Sequence, residues 1–311
     1  GFPESHAISF ALLAYASAYL KVHRLPEFYA GLLNNQPMGF YSPSTLVQDG
    51  RRRGLRFLPV SICHSQWEVT VVDDNTLRIG FGMLGEISRK AVEQLLHARS
   101  LRTFDSLTDF LRRVRLTSRE RRRFALSGAF NEWAGDRRSA LWRAGDGWSN
   151  FPVSGGFSDL QEENDESTVR LSRMTLAERI EADYASCGLT VGNHPMALVR
   201  DRLPEVWRAD ELEKAPQGTR VEVAGAVICR QKPGTAKGVV FVSLEDESGV
   251  ANVIVYPDRY DRFRLTLVEE SFLLCRGLVQ KEKGVVHVIA EEVRRLDLER
   301  NLPEQASHDF H

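Results

Sequence analysis

The stretch TRVEVAGAVICRQKPGTAKGVVFVSLEDESGVANVIVY, residues 219–256, decides the fold. Val221 and Val223 alternate with polar neighbours and open a strand that runs to about Arg230. Lys232-Pro233-Gly234-Thr235-Ala236-Lys237-Gly238 breaks the ladder into a loop, because proline donates no amide hydrogen and glycine favours turns. Residues 240–246 and 250–256 supply a second and a third strand. Downstream, 258–265 reads as a helix, and 272–281 and 285–294 add two more strands. Five strands with a helix between the third and fourth is the order of an OB-fold, a small Greek-key barrel.

Upstream of the barrel the period changes. Thr175-x-x-Glu178 is a capping box that opens a helix ending at Gly188. Residues 145–172 are rich in Gly, Ser and acid, with the run Glu162-Glu163-Asn164-Asp165-Glu166, and read as a linker. Helical spacing fills 87–144, with Ser88 as an N-cap and a second capping box at Thr117-x-x-Glu120, whose helix should stop at Gly128. Before it, Trp67, Val69 and Val71, the turn Asp73-Asp74-Asn75, and Leu77, Ile79 and Phe81 spell a β-hairpin. The first 55 residues are helical: one helix capped by Ser5 with the stripe Ile8, Leu12, Tyr15, Ala16 and Tyr19, one opened by Pro26, and one from Ser42-Pro43 to Gly54.

At 311 residues the chain is too long for one ordinary domain, and it opens at Gly1-Phe2-Pro3-Glu4, which predicts a segment of a longer protein. No apolar run approaches the roughly 20 residues that cross a bilayer. Cys63, Cys187, Cys229 and Cys275 are far apart, which suits structural thiols in a reducing cytoplasm rather than disulfides or zinc. Net charge is only -1, but arginine clusters at 51–53, 112–115 and 119–123, so a basic face can hide behind a neutral total.

Two regions carry candidate chemistry. In the barrel, Arg230, Lys232 and Lys237 flank the first loop, while Phe241 and Tyr256 offer aromatic faces, the combination that single-stranded nucleic acid requires. Phe241 stays open to a second reading, as barrel core. The other region is Ile79-Gly80-Phe81-Gly82-Met83-Leu84-Gly85-Glu86-Ile87-Ser88, a glycine turn entering a helix. Gly82, Gly85 and Ser88 would present backbone amides to a phosphate, with Arg112, Arg113, Arg121, Arg122 and Arg123 supplying cations. The bland alternative is a hairpin-to-helix junction beside a solvated arginine-rich face. No constellation for metal-dependent or nucleophilic catalysis is legible: Asp73-Asp74 has no third acid, and His6 and His194 stand apart from ligands.

Longer motifs carry a family resemblance. Gly1-Phe2-Pro3-Glu4-Ser5-His6-Ala7, Phe10-Ala11-Leu12-Leu13-Ala14-Tyr15, Glu27-Phe28-Tyr29-Ala30-x-Leu32-Leu33-Asn34 and Leu58-Pro59-Val60 resemble the late fingers region of bacterial family C DNA polymerase alpha subunits. Asn34-Asn35-Gln36-Pro37-Met38-Gly39-Phe40-Tyr41, His194-Pro195-Met196 and Arg230-Gln231-x-Pro233-Gly234-Thr235-Ala236-Lys237-Gly238-Val239-Val240-Phe241 are similar to its error-prone, translesion branch.

The resemblance implies a multidomain α+β architecture: end of fingers with the hairpin over 1–78, helix-hairpin-helix region over 79–144, linker over 145–172, helical connector over 173–215, OB-fold over 216–296, and a tail over 297–311. It implies that Ser5 and His6 lie near nucleotide and template, that the helix-hairpin-helix region holds primer-template duplex, and that the OB domain approaches single-stranded template. Glu4 stands where many relatives carry lysine, so no phosphate contact is expected there. Catalytic aspartates and their magnesium belong to a palm domain upstream, so no cofactor is expected here and the segment alone should be inactive. Phe157-Ser158-Asp159-Leu160-Gln161 matches a clamp-binding motif poorly, which points to translesion accessory proteins in place of direct sliding-clamp contact. The implied setting is cytoplasmic and nucleoid-associated, without a membrane. Rival readings are a non-catalytic nucleic-acid-binding accessory protein and the anticodon-binding region of an aminoacyl-tRNA synthetase.

Overall fold

A computed structural model of the chain describes residues 4–39, 41–145 and 171–298, with the backbone of 308–310. Residues 146–170 of the linker expected over 145–172, with its acidic run and the segment 157–161, and most of the tail lie outside the described residues.

Helices α1 (Glu4–His23), α2 (Leu25–Asn34) and α3 (Pro43–Arg52) open the chain. Pro26 sits in the first turn of α2, where a missing amide hydrogen costs nothing. Ser42 caps α3, its Oγ accepting from the Thr45 amide at 3.2 Å, and Gly54 turns the chain at φ +92°. Two expectations for α1 fail. The helix starts at Glu4, so Ser5 lies inside it rather than at its cap. Its apolar stripe buries nothing: Leu12 and Tyr15 are 68% and 72% exposed, because the helix is apolar nearly all round and no described segment covers it.

The hairpin is present as β2 (Thr70–Asp73) and β3 (Thr76–Arg78), after a strand β1 (Arg56–Leu58) that pairs parallel with β3. Then come α4 (Arg89–Leu101), α5 (Leu107–Arg113), α6 (Ser118–Leu126), α7 (Asn131–Ala134) and α8 (Arg137–Arg143). Thr117 and Glu120 form the expected capping box, and Gly128, at φ +81°, ends the α6 segment. One core joins all these elements on both sides of residue 78, from Tyr29 and Leu33 through Ile79 and Phe81 to Phe110, Phe124 and Phe130. Its aromatic rings meet in edge-to-face pairs, as Phe81 and Phe124 do at 5.8 Å between centroids, and in tilted or stacked ones, as Phe130 and Trp133 do.

After the undescribed segment, α9 (Leu176–Cys187) starts on its capping box and stops at left-handed Gly188. In the expected helical connector, His194 then opens a 3-10 turn, Pro195–Leu198.

The barrel follows, in β4 (Arg220–Gln231), β5 (Val240–Glu245), β6 (Val250–Val255), α10 (Pro257–Glu269), β7 (Phe272–Glu282) and β8 (Val285–Arg295). Strand order is β5-β6-β8-β7-β4, and β4 pairs back onto β5, so the sheet closes. β6 and β8 run parallel, as the Greek key demands. Valines 221, 223, 242, 253, 255, 279 and 288 fill the interior. Gly277 permits the closure: a Cβ there would stand 2.0 Å from the Ile289 carbonyl oxygen, at a register shift between β7 and β8. A short β9 (His308–Phe310) adds parallel to the end of β4.

The barrel docks on the helical body through charge. Arg52 gives two hydrogen bonds to Glu245 Oε1, at 2.9 and 3.0 Å, and Arg200 holds Asp246 and Glu247.

Candidate nucleic-acid interface

The glycine turn packs tightly. A Cβ on Gly80 would lie 2.3 Å from the Glu68 backbone, and one on Gly82 would lie 3.0 Å from the Trp67 oxygen. The Gly82 amide donates to the Trp67 carbonyl at 2.8 Å, and the Gly85 amide donates to the Ser186 carbonyl at 3.0 Å. Neither glycine therefore offers a free amide to a phosphate, contrary to expectation, because the turn is spent on joining the segment ahead of β2, at Trp67, and α9, at Ser186, to the helical region. Ser88 caps α4 as predicted, its Oγ accepting from the Ala91 amide at 3.2 Å. The exposed cations at this helix start are Arg89 and Lys90, which sequence reasoning missed. Two cations in a first turn oppose the helix dipole, and that mismatch was the available signal.

The arginine cluster divides. Arg112 is exposed. Arg113 is committed to Asp109 and to the carbonyls of Thr103 and Arg102, with its guanidinium 4.5 Å from the Phe104 ring centroid. Arg121 donates to the Ala144 carbonyl and to Ser118, and Arg122 is half-buried and has a partner of its own. Arg123 bonds the Ala185 carbonyl and Glu86. Arg119 shares Glu86, and hydrogen bonds from the two guanidiniums hold that carboxyl down at about 2. Arg137 and Arg138 reach Asp183 and Glu178 on α9. Much of the basic sequence thus bolts α9 to α6 and α8.

In the barrel, several candidates converge. Val240 opposes Val255 in the ladder, which sets Phe241 on β5 close to the end of β6 and to Tyr256. Phe241 is not core: it faces outward, 37% exposed, between buried Val240 and Val242, and Tyr256 is 45% exposed. Lys232 stands over the Tyr260 ring at 4.1 Å, and Gly238 lies against Pro257, so the loop folds towards the start of α10. Lys237 is exposed at the loop's left-handed turn. Arg230 is spent differently, donating to the carbonyls of Leu267 and Glu270 to anchor the end of α10. The result is one outward patch of two aromatic faces and two lysines. Ser5 and His6 lie far from it in sequence, exposed in the first turns of α1.

Among the described residues no three His, Cys, Asp or Glu side chains stand together as metal ligands, and no helix is long and apolar enough to cross a membrane. The four cysteines are free thiols.

A helix-hairpin-helix motif model matches residues 54–140, and an OB-fold nucleic acid binding domain model matches residues 221–296. The chain is 42% identical to the error-prone DNA polymerase of Anaeromyxobacter dehalogenans over 326 aligned residues, covering all of this chain and 28% of that protein. The error-prone DNA polymerases of an Azoarcus species and Pseudomonas syringae pv. tomato are 41% and 40% identical, again along the whole chain, with 30% and 31% of their lengths covered. The chain thus spans under a third of the length of the curated relatives it matches. Among solved structures, an asparaginyl-tRNA synthetase from Pyrococcus horikoshii covers 29% of the chain at 18% identity and a TM-score of 0.23, too slight a likeness to bear on function. Along its whole length the chain is a homologue of the C-terminal part of error-prone DNA polymerases, built from a helix-hairpin-helix region and an OB-fold nucleic-acid-binding domain.

Proposed function

We propose that the chain grips primer-template DNA for damage-tolerant, template-directed DNA synthesis whose bond-making step occurs outside these residues. The observation that carries this reading is the outward patch of Phe241, Tyr256, Lys232 and Lys237 on a closed OB barrel, in a chain that also carries the helix-hairpin-helix region. Aromatic faces stack with any base, and lysines follow the backbone, so the patch takes single-stranded template without reading sequence. The start of α4, with Arg89, Lys90 and capped Ser88, meets duplex phosphates, and Arg112 adds a cation. Ser5 and His6 on α1 face the nucleotide side. Magnesium for the bond-making step would be held outside these residues. Translesion accessory proteins, a cytoplasmic setting at the nucleoid and the absence of direct clamp contact belong to the same reading.

Fluorescence anisotropy with duplex and single-stranded oligonucleotides tests the binding claim, which fails if neither binds at low ionic strength. Primer extension with magnesium and deoxynucleotides tests the division of labour. The isolated chain should bind without extending, and extension would overturn that division.

A further inference from the structure

A second cationic cleft stands apart from the glycine turn and from the barrel patch. It opens where the last turn of α3 and the start of β1 meet residues 191–197, and it measures about 620 Å³. Arg51, Arg52, Arg56 and Asn193 line it above buried Leu55 and Phe57.

Its charges do not balance. Arg52 is matched by Glu245. The acid in the wall, Glu247, is already held by Arg200 at 2.6 Å and lies 3.7 Å from Arg208. Arg51 is half-buried yet bonds only neutral acceptors, Gln48 Oε1 at 3.2 Å and the Gly192 carbonyl. Burial pulls its pKa below the usual guanidinium range. Exposed Arg56 feels the Asp73 carboxylate through space but has no carboxylate within ion-pair distance among the described residues. Two guanidiniums without a salt-bridge partner therefore border a cleft whose apolar floor weakens solvent screening, and for half-buried Arg51 an unmatched charge is costly. The C-terminal dipole of α3 offsets part of Arg51's charge, but its effect fades within a turn.

We propose that this cleft binds a phosphate group of a nucleotide or polynucleotide, with Arg51 and Arg56 as its cationic pair. Guanidinium forks match phosphate oxygens in pairs, and the cleft has the volume of an ordinary small-ligand site. A free nucleotide and a DNA backbone present the same group, and the proposal stands independently of the barrel patch.

Calorimetric titration of the whole chain with tripolyphosphate, at fixed ionic strength, reads the free source. Anisotropy with a labelled single-stranded oligonucleotide, across a salt series, reads the polymeric one. Arg56→Ala should weaken tripolyphosphate about tenfold, as losing one charge-assisted contact does. Arg51→Gln should do the same, and exposed Arg264→Ala should change nothing. If the cleft takes a backbone phosphate, Arg56→Ala also lowers the logarithmic salt slope by about one. Unchanged affinity for both ligands in both cleft variants overturns the proposal and leaves these arginines as partners of α3's C-terminus. Should Arg51→Gln not fold, Arg56→Ala decides alone, since its side chain is exposed.

Discussion

Ser88 donates its hydroxyl hydrogen to Glu120 Oε1 at 2.8 Å, tying the cap of α4 to the capping box of α6. The Ser88 amide reaches the same oxygen at 3.3 Å, while Glu120 Oε2 accepts from the amide and hydroxyl of Thr117, both at 2.9 Å. One carboxylate therefore satisfies donors at the N-termini of two helices, where both dipoles favour negative charge. Burial works to raise the pKa of Glu120, and these hydrogen bonds outweigh it, so the group sits below the usual carboxylate range.

Replacing Glu120 with Ala should cost about 1–3 kcal/mol, because the starts of two helices lose a shared acceptor together. Glu120→Gln, which keeps an acceptor, should cost less. Urea midpoints measure both. Because the folded pKa is depressed, Glu120's contribution is present above the ordinary carboxylate pKa and is lost as pH falls through the folded value. A midpoint for Glu120→Ala equal to that of the unaltered chain would show that the caps are independent.

Single-strand affinity should fall on Phe241→Ala by about 1–3 kcal/mol, the worth of one base stack. Stability should change little, since the ring faces solvent. Lys232→Glu with Lys237→Glu should weaken single-strand binding while duplex binding stays near its original value. Anisotropy on the two substrates decides this, and equal losses on both would argue against separate modules.

The barrel was legible because its strands are rich in valine with stretches of alternation and its loops carry proline and glycine: Val221, Val223, Val253 and Val255 point inward where the pattern puts them. β1 was missed because three residues, Arg56–Leu58, are too few to establish a period. The caps at Ser42, Ser88, Thr117 and Thr175 were readable because capping is local chemistry. What those caps touch across the fold is not local, so the link from Ser88 to Glu120 left no trace in either motif. The arginine cluster misled for the same reason. Arg112 and Arg123 look alike in sequence, and only the arrival of α9 separates an exposed cation from a structural one.

That separation is measurable. Arg112→Ala should leave the melting temperature unchanged and lower the salt slope of duplex binding by about one, as loss of one phosphate contact does. Arg123→Ala should instead destabilise the chain by about 1–3 kcal/mol, since it releases Glu86 and the Ala185 carbonyl together. Thermal melts beside salt titrations distinguish the two. A salt slope that moves with Arg123 and not with Arg112 would reverse the assignment.

The junction between barrel and helical body should respond to pH through two buried groups of opposite habit. His194 Nδ1 accepts from the Met196 amide at 3.2 Å, and its Nε2, which has no hydrogen-bond partner, lies 3.9 Å from Glu245 Oε2. Burial pushes Glu245 up to about 7 against the pull of Arg52, and burial pushes His194 down to about 3. Glu245's folded pKa exceeds its ordinary 4.5, so its contribution favours folding at low pH and is lost as pH rises through about 7. His194 lies below its ordinary 6.5, so its contribution is present above 6.5 and is lost as pH falls. Between pH 4.5 and 6.5 the two slopes oppose each other, each at most about 1.4 kcal/mol per pH unit. Glu245→Gln should therefore make the chain lose stability, relative to the unaltered chain, as pH drops across that window. His194→Gln should make it lose stability as pH rises across the same window. Urea unfolding at several pH values reads the difference directly, and parallel curves for all three proteins would mean that neither group changes its proton affinity on folding.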